Sequence, residues 1–188
     1  IDPGDNTGGD LLELSDGDDI YIFSDANPNN SFYTISAEGA PVPITFTIDG
    51  VGNTGSVDKD TFGVDTLVDI DRPLDAGANQ GGLDLIGGNE GDVFNLTLDA
   101  GQWMRVTSSA GDDTLNISGA GSVRASYANG LSAINADLVA GTITGGLDIG
   151  TDTVIGVLGQ VEGTNFDDSF TGTAGDETFF GKGGNDVI

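Results

Sequence analysis

The sequence predicts an all-β protein, with a parallel β-helix solenoid in the C-terminal part and a less regular β-rich N-terminal part. Short segments that alternate apolar and polar residues are separated by Gly, Asn and Asp, which is typical of half-buried strands. No segment keeps an apolar spacing of three and four residues over several turns, and each Gly costs a helix about 1 kcal/mol relative to Ala. The C-terminal end also repeats with a fixed period, as solenoids do.

Nine segments have the strand pattern in addition to the short strands that the repeat implies. In one of them Phe94, Leu96 and Leu98 alternate with Asn95 and Thr97, so a single face is apolar. The predicted strands are 31–35, 44–48, 61–70, 93–98, 103–107, 114–117, 122–127, 134–139 and 151–157.

The chain changes character near residues 71–82, which are rich in Gly, Ala and Asn and indicate a linker or long turn. Before this segment, prolines interrupt the strand pattern and the repeats are poor. We therefore predict a β-rich region of non-repetitive or degenerate-repeat sequence over 1–75, and a parallel β-solenoid over 76–188. Because the chain starts without Met and stops inside a repeat, it is expected to be a fragment of a longer protein.

Three consecutive units of nine residues begin at Gly163, Gly172 and Gly181. In each unit the sixth residue is acidic and the eighth is large and apolar. The glycine, acidic and apolar positions all recur with the same period of nine residues. This agreement predicts a supersecondary unit that stacks on copies of itself. The acidic residues are Asp168, Glu177 and Asp186, and the apolar residues are Phe170, Phe179 and Ile188.

Degenerate copies of the unit occur earlier in the chain. One copy starts at Gly87 and another at Ser108, with Asp92 and Asp113 in the sixth position. Partial copies near the N-terminus place Asp10 and Asp19 in the same position, although an ordinary turn explains Gly and Asp there equally well.

The composition excludes several classes of function. The chain has 31 Asp and Glu against 5 Lys and Arg, a net charge of −26, which argues against nucleic acid and anionic membranes as partners. Such charge opposes compaction unless salt, a basic partner or bound cations neutralise it. Without Cys or His, disulfides, structural zinc and thiolate or imidazole catalysis are absent. The sequence contains no run of about 18 apolar residues, which is the pattern that predicts membrane insertion.

Residues 163–188 resemble the Gly-Gly-x-Gly-x-Asp-x-apolar-x repeat of repeats-in-toxin, or hemolysin-type calcium-binding, proteins. The resemblance implies a right-handed parallel β-roll, in which the first six residues of a unit turn, the last three form a strand, and two units make one coil. It also implies type I secretion and an extracellular or cell-surface location. The units at Gly163 and Gly181 are then expected to share one site, while the unit at Gly172 faces the other side.

Calcium suits such a repeat because it takes 6 to 8 oxygen ligands, and carboxylates and backbone carbonyls both supply them. Early glycines are expected to allow positive φ, which lets carbonyl oxygens converge. Because Asp92 and Asp113 lie 21 positions apart, they are expected to lack stacked partners in simple nine-residue register and to belong to turns that have lost calcium. The candidate metal-binding residues are Gly163, Asn165, Asp167, Asp168, Gly172, Ala174, Asp176, Glu177, Gly181, Gly183, Asn185, Asp186, Asp92, Asp112 and Asp113.

We therefore expect a calcium-binding structural or adhesive module that is not an enzyme. The alternative is an accessory module of a secreted protease, lipase or polysaccharide epimerase whose catalytic domain lies outside this chain. For catalysis within the chain, the only candidate centre is Arg105 or Arg124 beside Asp113. The expected partners are calcium ions, with self-association or polymerisation at open solenoid ends as a further option.

Overall fold

The computed structural model describes residues 10–23, 31–70, 74 and 81–188. Their regular structure is almost wholly β, as predicted. Most of the predicted linker 71–82, together with Gly8 and Gly9 of the first partial repeat, lies outside the described residues. The strands are β1 (Asp10–Glu13), β2 (Ile20–Ile22), β3 (Ser31–Ser36), β4 (Thr45–Asp49), β5 (Thr54–Asp58), β6 (Val64–Val68), β7 (Gly81–Ile86), β8 (Val93–Leu98), β9 (Trp103–Thr107), β10 (Thr114–Gly119), β11 (Ser122–Ser126), β12 (Asn135–Asp137), β13 (Thr142–Thr144), β14 (Thr151–Ile155), β15 (Gln160–Glu162), β16 (Ser169–Thr171) and β17 (Thr178–Phe180).

The strands form two sheets. Sheet A has the order β1-β3-β7-β9-β11-β15-β17, and every pair in it is parallel. Sheet B has the order β16-β12-β13-β14-β10-β8-β4-β5-β6-β2 and is mostly parallel. From β7 to β12 the chain passes alternately between the sheets, so each strand pairs with the strand one circuit later. The predicted parallel pairing is therefore confirmed.

Two antiparallel inserts interrupt sheet B in the same way. In each, three successive strands remain in that sheet, and the middle strand runs antiparallel to both neighbours. The inserts are β4-β5-β6 and β12-β13-β14. The strand pattern did not predict their middle strands, because Thr54–Asp58 and Thr142–Thr144 each contain a single large apolar residue. It also did not predict β7, which begins within the predicted linker, or β15.

Rows of apolar side chains fill the space between the sheets. In sheet A, the row through Ile35, Leu85 and Val106 stays in register from one circuit to the next. In sheet B, the rings of Phe46 and Phe94 stack with centroids 5.0 Å apart and planes 2° apart. Burying one such side chain stabilises the fold by about 1.5 to 3 kcal/mol, so each circuit depends on its neighbours for its core.

Both sheets continue across the predicted boundary between 1–75 and 76–188. Strand β3 pairs in parallel with β7 in sheet A, and β4 pairs in parallel with β8 in sheet B. The rows of core residues also pass across it, since Phe46 stacks on Phe94. Strands on the two sides of the predicted boundary therefore pair with each other. The division into two regions stays a prediction.

Candidate cation sites in the turns of sheet B

An aspartate lies just before or at the start of several strands of sheet B, two residues ahead of an apolar side chain. A glycine usually lies two residues before this aspartate, as in Gly63 before Asp65 and Gly150 before Asp152. Sequence analysis missed these two aspartates as repeat positions. Their short Gly-x-Asp-x-apolar signal is visible once the nine-residue period is relaxed. The seven aspartates at this position are Asp19, Asp65, Asp92, Asp113, Asp152, Asp168 and Asp186.

These aspartates form ladders along the stack of turns. Four of the carboxylates, those of Asp65, Asp113, Asp152 and Asp186, accept a hydrogen bond from the backbone N–H of the equivalent aspartate in the neighbouring turn. Asp92 and Asp113 are therefore stacked partners, and the expectation that they lack partners was wrong, because one circuit spans 21 positions there. The ladder bonds run from the N–H of Asp19 to Asp65 (3.0 Å), Asp92 to Asp113 (2.8 Å), Asp113 to Asp152 (3.0 Å) and Asp168 to Asp186 (3.0 Å).

The glycine that opens a repeat has a different role from the expected one. A Cβ added to Gly163 would overlap the Asp168 carboxylate, which accepts the N–H of Thr164 at 2.6 Å. Gly163 does not have a positive φ, whereas the fourth-position glycines Gly111 and Gly184 do, at 116° and 109°. The first glycine therefore provides room for the carboxylate, and a fourth-position glycine provides the left-handed turn at Gly111 and Gly184.

The middle ladder consists of buried carboxyl groups. Burial raises the pKa of Asp113 to about 8 and that of Asp152 to about 6, and it also raises the pKa of Asp92. The hydroxyl of Tyr127 donates to the second oxygen of Asp152 at 2.7 Å, and burial raises the pKa of Tyr127 well above its usual value. These carboxyl groups hold neighbouring turns together through backbone and tyrosine donors.

The C-terminal turns combine buried and exposed acids. Asp168 is buried, and its oxygens accept bonds from Ile134 and Thr164. Asp167 is exposed and accepts the N–H of Asn185 at 2.7 Å, while Asp186 is half-buried.

The other predicted metal-binding residues occupy the same kinds of turn. Asp112 is exposed and accepts the N–H of Thr151 at 2.8 Å. Glu177 lies on the sheet A side and accepts bonds from Thr173. Gly163 is buried; Gly172, Gly181 and Gly183 are half-buried; Asn165, Ala174, Asp176 and Asn185 are exposed.

Within the part of the chain that the structure describes, no three or more acidic side chains converge closely enough to hold a metal by themselves. A site here would need backbone carbonyls, which calcium accepts readily. The Phe166 carbonyl oxygen lies 2.3 Å from the position that a Cβ of Gly184 would take, so the two stacked turns approach each other closely at this point. The donors available at this point are hard oxygen atoms, and they fit calcium by chemistry.

The first pair of stacked turns already holds a positive charge. Lys59, which is 3% exposed, places its Nζ 2.7 Å from the Ser15 carbonyl oxygen, 2.8 Å from that of Gly17 and 2.5 Å from Oδ1 of Asp65. Asp65 is fully buried, and its Oδ2 has no hydrogen-bond partner. Two carbonyls and a carboxylate thus surround one cation. The sequence did not predict this site, because Lys59 is an isolated cation between two turns.

The first and last pairs of turns share one backbone frame. In both, the N–H of the first ladder aspartate donates to the second at 3.0 Å. In both, the preceding aspartate accepts a backbone N–H from the stacked turn, at 2.8 Å in one pair and 2.7 Å in the other. The matching positions are Ser15 with Thr164, Gly17 with Phe166, Asp18 with Asp167, Asp19 with Asp168, Val64 with Asn185 and Asp65 with Asp186.

The arginines named as a catalytic candidate lie on the outer face of sheet A. Arg105 pairs with Asp84 at 2.6 Å. The Arg124 guanidinium lies over the rings of Trp103 and Phe180, 5.4 Å and 4.6 Å from their centroids. The Asp113 carboxylate instead accepts a backbone bond in the turn before β10 of sheet B, so the proposed pair does not come together.

None of the described helical residues forms a helix that is long and apolar enough to cross a membrane. Neither a scan against protein-family models nor a search of curated proteins found a match to the chain.

Proposed function

We propose that the chain is a calcium-binding structural or adhesive module of a secreted or cell-surface protein, similar to repeats-in-toxin proteins. The observation that carries the proposal is the shared frame of the first and last pairs of turns. That frame surrounds a buried ammonium group at one end of the chain, and it recurs at the other end without a lysine in the matching place. The C-terminal frame is therefore suited to a free cation.

The residues that would hold calcium follow from the matching positions. Around Lys59, the ligands are two carbonyls of one turn and the ladder carboxylate of the next. Their equivalents are the Thr164 and Phe166 carbonyls and the Asp186 carboxylate, with Asp167 adjacent. Asp168 supports the turn by accepting backbone N–H groups. Calcium would supply positive charge and draw the two turns together through oxygen ligands.

A continuous β-roll is the architecture that we propose for the two sheets. The support is the alternation of strands between sheets A and B together with the parallel register of core residues. The C-terminal turns contain apolar side chains that the core leaves exposed, with Phe166 at 45% and Val187 at 65%. A metal bound between these turns would add stability that such side chains do not supply.

The charge and the extracellular setting support the same function. Each calcium ion at the C-terminal turns would offset part of the net charge of −26. Calcium outside cells is abundant enough to fill sites with dissociation constants of about 10⁻⁴ to 10⁻³ M. A module of this kind would be stiff outside the cell and loose at its C-terminal end where calcium is scarce.

Calcium titration of the chelated protein tests the proposal, with calorimetry for binding and thermal unfolding for stability. Asp186→Asn should weaken calcium binding by about tenfold or more, since it removes a charged ligand. Glu38→Gln, which removes an equal charge from an exposed residue between β3 and β4, serves as the matched control and should bind as the wild type does. Calcium binding that magnesium reproduces, or that Asp186→Asn leaves unchanged, would contradict the proposal.

A further inference from the structure

We infer that Lys59 acts as a built-in cation, and that its side chain fills a latent site for a divalent metal between the first two stacked turns. The site consists of the Ser15 and Gly17 carbonyls and the Asp65 carboxylate. Calcium is the ion that we expect there once the ammonium is removed. The identity of that ion rests on the proposed function, whereas the role of Lys59 rests on its own contacts.

The first support is the coordination of the ammonium group. One carboxylate is enough to balance the charge of a buried lysine. The Lys59 ammonium group also contacts two backbone carbonyl oxygens, so three oxygen atoms surround it. Carbonyl and carboxylate oxygens are also the donors that calcium selects. A three-donor ammonium satisfies the same oxygens without an ion from solution.

The second support is the unsatisfied oxygen of Asp65. This carboxylate is fully buried, yet its Oδ2 has no hydrogen-bond partner. A buried polar atom without a partner is costly. The Lys59 ammonium group contacts only one oxygen of the Asp65 carboxylate, whereas a calcium ion can bind both oxygens of a carboxylate. The site therefore contains one more oxygen atom than the ammonium group contacts.

The third support is the space beside the lysine. A cavity of about 550 Å³ is lined by Lys59 together with Ser15 and Asp16. Glu13 and Glu38 also line it, among mostly uncharged residues. Shortening Lys59 to alanine would open a path from this cavity toward the three oxygens. A hydrated cation could then reach them and keep water as its remaining ligands.

The chain places Lys59 there by local structure. Lys59 follows β5 and leads into a short 3-10 turn, Asp60–Phe62. Its backbone N–H donates to the Gly63 carbonyl at 2.9 Å, and its own carbonyl accepts the Phe62 N–H at 3.0 Å. These bonds close a loop that fixes the base of the side chain. The antiparallel insert β4-β5-β6 of sheet B thus places Lys59 beside the first two stacked turns.

Two substitutions separate a cation site from a simple buried ion pair. Lys59→Ala removes the ammonium and opens its space, whereas Lys59→Met removes the charge but keeps most of the volume. Hydrogen exchange would be followed by mass spectrometry in peptides covering 14–22 and 60–68, with excess chelator, calcium or magnesium. Calcium should slow exchange in these peptides of Lys59→Ala by about 100-fold when its concentration is 100 times the dissociation constant. Lys59→Met and the wild type should show no such change there.

The same experiment distinguishes this inference from the proposed function, because peptides covering 163–188 report on the C-terminal turns in every variant. A calcium response only at 14–22 and 60–68 of Lys59→Ala would support the latent site and reject the proposed function. A response only at 163–188 would do the reverse. If Lys59→Ala is unfolded in chelator, folding on addition of calcium supports the site. Persistent unfolding, or unchanged exchange with calcium, overturns it.

Discussion

The two ends of the described chain use the same turn geometry and differ in how its negative charge is balanced. At the N-terminal end, Lys59 is covalently attached and buried against Asp65. At the C-terminal end, Asp186 lies in the equivalent place, while the nearby Lys182 pairs with Glu162 on the sheet A side at 2.9 Å. Under the proposed function, one fold carries a permanent cation in one circuit and depends on an external cation in another. A circuit with its own cation should fold regardless of calcium.

Removing the permanent charge should have the largest effect. Lys59→Met leaves the buried Asp65 carboxylate uncompensated, which costs about 3 to 5 kcal/mol. Lys182→Met breaks a half-exposed pair with Glu162 and should cost about 1 kcal/mol or less. Urea unfolding followed by circular dichroism measures both. Equal losses in the two variants would contradict the difference between the ends.

Core truncation should show a similar but smaller contrast. Phe46 is fully buried and stacked on Phe94, so Phe46→Ala should cost about 3 to 5 kcal/mol. Phe179 is only half-buried beside Phe170, and Phe179→Ala should cost less. Calcium is expected to offset part of the Phe179→Ala loss and none of the Phe46→Ala loss. Thermal unfolding with calcium or chelator checks this, and equal rescue of both variants would refute it.

The opening glycine of a repeat should resist substitution. Gly163→Ala forces a methyl group into the Asp168 carboxylate and the Phe170 ring, which should cost about 1 to 3 kcal/mol. Gly175→Ala is the matched control, since its nearest neighbours would be the Thr173 hydroxyl and the Glu177 carboxylate at 3.3 and 3.4 Å. It should change stability by less than about 1 kcal/mol. Urea unfolding should rank Gly163→Ala as the less stable variant, and the opposite order would contradict the proposed role of Gly163.

The middle ladder should give the most gradual effect, a pH dependence. The pKa of Asp113 is raised to about 8 and that of Asp152 to about 6, above the usual value of about 3.9 for an unfolded chain. Raised pKa values contribute stability that is fully present below pH 4, and this contribution is lost as pH rises through 6 and 8. The melting temperature should therefore fall between pH 5 and 8.5. Asp113→Asn should show a shallower fall, and an equally steep one would contradict this assignment.

Sequence alone predicted strands whose two faces differ clearly. The bounds of β8 and β9 were predicted correctly, because apolar and polar residues alternate along Val93–Leu98 and a row of apolar residues marks Trp103–Thr107. The middle strands of the two inserts escaped because a short antiparallel strand between parallel neighbours needs little apolar content of its own. The pairing across circuits could not be predicted either, since the separation of stacked aspartates varies from 18 positions between Asp168 and Asp186 to 46 between Asp19 and Asp65.

The candidate site was predictable in its acids and not in its cation. A fixed spacing of Gly and Asp marks Asp168 and Asp186, because the carboxylate needs the room left by the opening glycine. Nothing in that spacing marks Lys59, which reaches the turn through an insert rather than through the repeat. The role of the first glycine was also misjudged, because φ and lateral space cannot be separated in a sequence. Only the folded backbone shows that a Cβ at the position of the first glycine would overlap the carboxylate of another residue.

Hydrogen exchange of the wild-type chain, with and without calcium, tests the central claim most directly. Calcium should slow exchange in peptides covering 163–188 and leave those covering 14–22 and 60–68 unchanged, because Lys59 already occupies the N-terminal turn. Uniform protection along the chain would mean that the two ends do not differ, and no protection at 163–188 would contradict the assignment of calcium to the C-terminal turns.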